Sequence, residues 1–197
     1  MVSLKDRINC CCSCGIKLSI CILKDMINMG NLIDNYTIYY GGGSSSGQLL
    51  ESKYPNFILI QEPLENNQTL NINICLENLN YIKIEPTGGS YSSVINVLNK
   101  YYVSPFVIHP NCVENCCCKD SSISYLKDKY MESDLNGRQF RIQLNDNNYV
   151  IPEGDSTNVT VIHMDYDVVW LLNQANKVIY LVSICKICSL IDRKSVV

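Results

Sequence analysis

The chain is poor in the residues that most active sites and nucleic-acid surfaces are built from. It has two histidines, His109 and His163, and one tryptophan. So few imidazoles leave little choice of general base. Its 16 Lys and Arg residues form no block, which excludes a clustered surface able to track a phosphate backbone. The acidic residues are equally dispersed; the formal charge is -3 and no charged tail stands out. No apolar run reaches the roughly 18–20 residues needed to cross a bilayer. The longest stretch, 178–190, is short and is broken by Lys186. The first residues lack an uninterrupted apolar segment followed by a small-residue cleavage site, so no secretory signal is expected there. A G-x-x-x-x-G-K-[ST] phosphate loop is also missing. These absences lead us to expect a chain made in the cytoplasm or nucleus, with no membrane span, no nucleic acid partner and no identifiable small-molecule substrate.

What the chain has in excess is cysteine. Twelve are present, and ten of them cluster: Cys10, Cys11, Cys12 and Cys14; Cys112, Cys116, Cys117 and Cys118; Cys185 and Cys188. Only Cys21 and Cys75 stand apart. Thiols used for packing would scatter through a core. A chain of 197 residues can bury a core without staples, so the clusters point to assembly, metal or redox roles.

Ile16, Ile20, Leu23 and Ile27 recur at helical spacing, with Leu18, Ile22, Met26 and Met29 widening the apolar face, so a helix is expected over 15–29. Gly30 and Asn31 end it. The run Gly-Gly-Gly-Ser-Ser-Ser-Gly at 41–47 reads as a flexible hinge or hairpin tip. The expected layout is therefore a cysteine-bearing N-terminal helical arm (1–40), a hinge (41–47) and a β-rich core (48–197). From Leu49 onward the period becomes two. Strands are expected at 57–61 and at 70–76, the latter with Leu70, Ile72, Ile74 and Leu76 on one face, and at 80–85 as its hairpin partner. Val94, Val97, Leu98 and Tyr101 mark a short helix. Pro105 makes 103–108 an edge strand. A helix carrying Ile123, Leu126, Tyr130 and Met131 follows the central cysteines. Phe140, Ile142 and Leu144 alternate in a strand that turns into 149–151; Val159, Val161 and His163 alternate in another. A last hairpin is expected to join 168–172 to 178–184, although 165–176 could instead be helical. The fold class expected is α+β, predominantly antiparallel β with a sandwich-like core, two or three surface helices and the N-terminal arm.

Four chemistries compete for the cysteines and histidines. Cys11-x-x-Cys14 and Cys185-x-x-Cys188 each have the bite that chelates zinc, and together they would complete a four-sulfur site, provided the termini meet. This zinc-binding interaction domain is the alternative reading. Cys11 to Cys14 also fits a thiol oxidoreductase motif, but no strand precedes it as that chemistry requires. His109 lies three residues from Cys112, and His163, Asp165 and Asp167 share one strand face that could take a cation. A polar outer face of a half-buried strand explains the latter pattern as well. An enzyme of unknown type is thus a third reading, with no catalytic residues assigned.

Covalent assembly uses the clusters best. Adjacent cysteines close a strained ring with each other and so reach different neighbours. Cys10, Cys11, Cys12, Cys14, Cys112, Cys116, Cys117, Cys118, Cys185 and Cys188 are accordingly the candidates for intermolecular disulfides. The leading expectation is a structural protein without resident cofactor, whose partners are copies of itself. It would be locked into a lattice or filament by oxidation, possible only once the chain has left a reducing compartment. In composition alone, with no motif to carry it, this resembles the logic of viral occlusion-body matrices and spore-surface proteins.

Overall fold

A computed structural model describes residues 14–41, 43–53, 57–101, 106–107, 126, 140–144, 150–152, 158–165 and 168–192. Helix α1 (Cys14–Asn28) leads into β1 (Ile33–Tyr40), β2 (Gly43–Ser45), β3 (Gln48–Leu50), β4 (Phe57–Pro63), β5 (Thr69–Cys75) and β6 (Leu79–Pro86). Helix α2 (Tyr91–Tyr101) follows, then β7 (Phe106–Val107), β8 (Phe140–Leu144), β9 (Val150–Ile151), β10 (Thr160–Asp165), β11 (Val168–Asn173), β12 (Val178–Ser183) and β13 (Ile187–Asp192). All strand pairs but one, β7 with β10, are antiparallel. The fold is α+β and predominantly antiparallel β, as expected.

The strands form a seven-stranded sheet, in the order β2-β1-β6-β12-β11-β10-β7, and two three-stranded sheets, β3-β4-β5 and β13-β8-β9. Every residue of β11 and β12 is buried. That explains why Val-Val-Trp-Leu-Leu and Val-Ile-Tyr-Leu-Val show no polar alternation: both faces of these strands are covered. On one face Ile82, Ile84, Trp170, Leu172, Ile179 and Leu181 pack with Ile58, Ile60 and Ile74 of the β3–β5 sheet and with both helices. On the other, Tyr81, Val169, Leu171, Tyr180 and Val182 pack with Phe140, Ile142, Leu144 and Ile151. Tyr39 and Tyr81 stack there with ring centroids 4.3 Å apart.

The structure bears on two expectations. The first is the helical arm, whose apolar helix must pack either on its own core or on a neighbour. Ile16, Ile22, Leu23 and Met26 of α1 belong to the same core as Trp170. β1 pairs with β6 from Ile33 to Tyr40. Residues 14–40 are therefore part of the core layers, because a helix with this much apolar surface gains more by covering the sheet than by standing off it. The helix is also narrower in its buried face than the apolar pattern implies: Leu18 and Met29 are exposed at 42% and 51%. The second is the hairpin of 70–76 with 80–85. A single 3-10 turn, Leu76–Asn78, carries the chain from one sheet to another, so β5 pairs with β4 while β6 lies between β1 and β12.

The glycine-serine run is held rather than hinged. Gly43–Ser45 is a strand against β1, with Tyr40 opposite Gly43 and Ile38 opposite Ser45. The Ser45 hydroxyl donates to Glu62, and the Gly47 amide donates to Ser45 Oγ. Tyr36 clamps the step from the large sheet to the small one: its hydroxyl donates to the Gly47 carbonyl at 2.8 Å and accepts from the Leu49 amide at 2.8 Å. Burial raises the Tyr36 pKa, which keeps the donor in place. Glycine is required at 47, where a Cβ would come within 2.5 Å of the Gln61 carbonyl oxygen. Replacing Tyr36 by Phe strips both groups of their partner and is expected to lower the unfolding free energy by about 1–3 kcal/mol, read from urea denaturation.

Candidate functional site

The sequence directs attention to thiols, and the described ones occupy distinct settings. Cys185 lies in the 3-10 turn Ile184–Lys186, half-buried against the Phe140 side of the core, and is disulfide-bonded. Cys188, three residues on, is a free and exposed thiol. The cause is a bulge. In β13, Ile187 pairs with Leu144 and Ser189 with Gln143, so Cys188 is the extra residue and has no opposite number. A bulge residue is turned out of the pleat, which re-aims its side chain. The ladder is anchored again immediately after it, where the Ser189 hydroxyl donates to Gln143 Oε1 at 2.9 Å. Among the described residues β13 is an edge strand of its sheet.

Cys21 is also free and exposed, and Cys75 is free and half-buried at the end of β5. Leu18, Cys21, Asp25 and Asn28 form the exposed stripe of α1. Their spacing of three, four and three was the signal that Cys21 faces outward; the strong apolar run around it hid that signal. The backbone of Cys14 opens α1. Cys10, Cys11, Cys12, Cys112, Cys116, Cys117 and Cys118 lie outside the described residues, as do His109 and Asp167.

The Cys185–Cys188 pair therefore does not act as one unit. A sulfur held in a disulfide has no thiolate to offer a metal or a second subunit. A zinc site using Cys11, Cys14, Cys185 and Cys188 would first require that bond to be reduced. Among the described residues no three His, Cys, Asp or Glu side chains gather as a metal site would need.

His163 and Asp165 sit elsewhere than a polar outer face. They are 3% and 1% exposed. β10 pairs His163 with Trp170 and Asp165 with Val168, and cross-strand partners share a face. Trp170 and Val168 belong to the helix-bearing side, so both polar residues point under that layer. The alternation along β10 was legible only in part: a register shift between Val161 and His163 sets Val161 opposite Leu171 on one face and His163 opposite Trp170 on the other, so the two do not share a face as the sequence pattern implied. A groove of about 590 Å3 lies at another end of the large sheet, between Lys83, Glu85, Gly89, Lys177 and Tyr180. Lys83 is paired with Glu85 at 3.2 Å, and the Lys177 side chain crosses Gly89 where a Cβ would collide with it. His163 does not line it.

No helix among the described residues is long and apolar enough to cross a membrane. The sequence matches no family model, and no curated protein or solved structure is significantly similar to it. Its function is therefore argued from its own residues.

Burial lowers the His163 pKa from its ordinary 6.5 to about 4. Between those values the unfolded chain binds a proton that the folded chain refuses. Stability from this residue is thus complete above about pH 6.5 and is lost as pH falls towards 4. The loss is expected to be about 3 kcal/mol across that window. Denaturant unfolding of the wild type and of His163→Asn at a series of pH values checks it: the variant should lack this part of the slope.

Proposed function

We propose that this chain is a structural subunit that associates with copies of itself and is then locked by disulfides between subunits. The observation that carries the reading is Cys188, a free thiol turned outward by a bulge on an edge strand. Cys21 supplies a second exposed thiol on a different element, the outer stripe of α1. Two separated attachment points per subunit permit chains longer than a dimer, since a contact that is not its own mate leaves an end free. The sequence places further cysteines in clusters at 10–14 and 112–118. Two thiols give up two protons and two electrons to form each bridge, with dioxygen or a small-molecule disulfide as the acceptor. This is chemistry for an oxidising compartment reached after synthesis.

Electrophoresis in denaturant separates the outcomes. Native material run without reductant should show a ladder of multiples that collapses to the monomer when reductant is added. Cys21→Ser combined with Cys188→Ser should shorten that ladder while leaving the monomer folded, because both side chains are exposed. A single monomer band in both lanes would overturn the reading.

A further inference from the structure

Among the described residues the three sheets have six edge strands, and β2, β3 and β13 are protected in recognisable ways. β2 and β3 have three residues each. β13 is longer but its ladder is interrupted by the bulge at Cys188. Short strands, bulges and charges are the devices that stop one sheet from adding to another. β5 has none of them. Its seven residues, Thr-Leu-Asn-Ile-Asn-Ile-Cys, include no charge and no proline. It runs in unbroken register with β4 from Thr69 opposite Pro63 to Cys75 opposite Phe57. Among the described residues no strand pairs with its other side. Thr69, Leu70, Asn71 and Asn73 are exposed, Leu70 at 44%.

We propose that β5 is a self-pairing edge, through which two copies of the chain join antiparallel into one continuous six-stranded sheet. This deepens the reading of the chain as a self-associating subunit and rests on it. The occupant follows from the strand's own pattern. An antiparallel two-fold centred on Ile72 sets Leu70 of one copy opposite Ile74 of the other, Asn71 opposite Asn73, and Ile72 opposite its own counterpart. Every apolar residue then meets an apolar residue, every amide meets an amide, and no like charges face each other. The core-facing row of Ile58, Ile60, Ile72 and Ile74 continues across the join and covers the exposed part of Leu70. On the outer face, the Gln61 amide already donates to Asn71 at 3.2 Å and to Thr69 at 3.4 Å. That amide row extends through the partner copy's asparagines. Cys75 comes opposite Thr69, so the contact requires no disulfide and forms in reductant.

Sedimentation of the full chain in excess reductant over a range of concentrations tests this, with circular dichroism to confirm folding. The wild type should show a reversible monomer–dimer equilibrium. Asn71→Lys with Asn73→Lys sets lysine opposite lysine at both amide pairs and should weaken dimerisation by about tenfold or more. Asn71→Glu with Asn73→Glu should weaken it similarly, and mixing the two variants should restore a dimer containing one of each. A wild type that stays monomeric in reductant, a dimer indifferent to the lysines, or a mixture that fails to pair overturns the proposal. The two readings fail separately. A covalent ladder from a chain that is monomeric in reductant removes the β5 contact and keeps the cross-linking. A charge-sensitive dimer without any ladder removes the cross-linking and keeps the contact.

Discussion

Strands β11 and β12 present apolar side chains on both faces, and a sheet built that way is stable only when each face has its own cover. Trp170, Leu172, Ile179 and Leu181 face one way, and Val169, Leu171, Tyr180 and Val182 the other. Everything else in the fold answers that demand. One side is closed by α1, α2 and the β3–β5 sheet, and the other by the β8, β9 and β13 sheet. Burial of a large aliphatic or aromatic side chain is worth about 1.5–3 kcal/mol, so neither cover is dispensable. The N-terminal helix cannot stand away from the domain without uncovering the face that holds Trp170.

The same demand determines where polar groups suffer. Covering the helix-bearing face buries His163 and Asp165. The imidazole responds by staying neutral, since desolvation penalises its charged form. The glycine-serine segment between β1 and β3 is disciplined by a different device. It must step from one sheet to another over a few residues, and the hydroxyl of Tyr36 satisfies one backbone group on each side of that step. Composition suggested freedom at 41–47; hydrogen bonds removed it.

Building a core from three sheets leaves edges at its periphery, and edges are where such a chain can meet another. Most of these edges are short. The two long ones are unlike: β13 trades ladder continuity for an outward thiol at Cys188, whereas β5 keeps an unbroken, uncharged ladder. The proposed covalent and non-covalent contacts would thus use separate places on the surface, and an assembly using both would form by strand addition first and harden by oxidation afterwards.

Much of the local structure was determined by the sequence itself. Period-two alternation marked Phe140, Ile142 and Leu144, helical spacing marked Val94, Val97 and Leu98, and continuous apolar runs bounded by Asn173 to Asn176 marked the β11–β12 hairpin. These signals are local, because side-chain direction along one element depends only on that element's own period. Tertiary structure alone decided the rest. That β5 pairs backwards with β4 and leaves β6 to another sheet depends on a three-residue turn and on which faces remain to be covered. That His163 is buried depends on its register against Trp170 and on which side of the sheet is covered. The bulge that exposes Cys188 while Cys185 is bonded arises from register against β8. Pairing partners, covered faces and register are relations between distant segments, and no window of sequence contains both members of the relation.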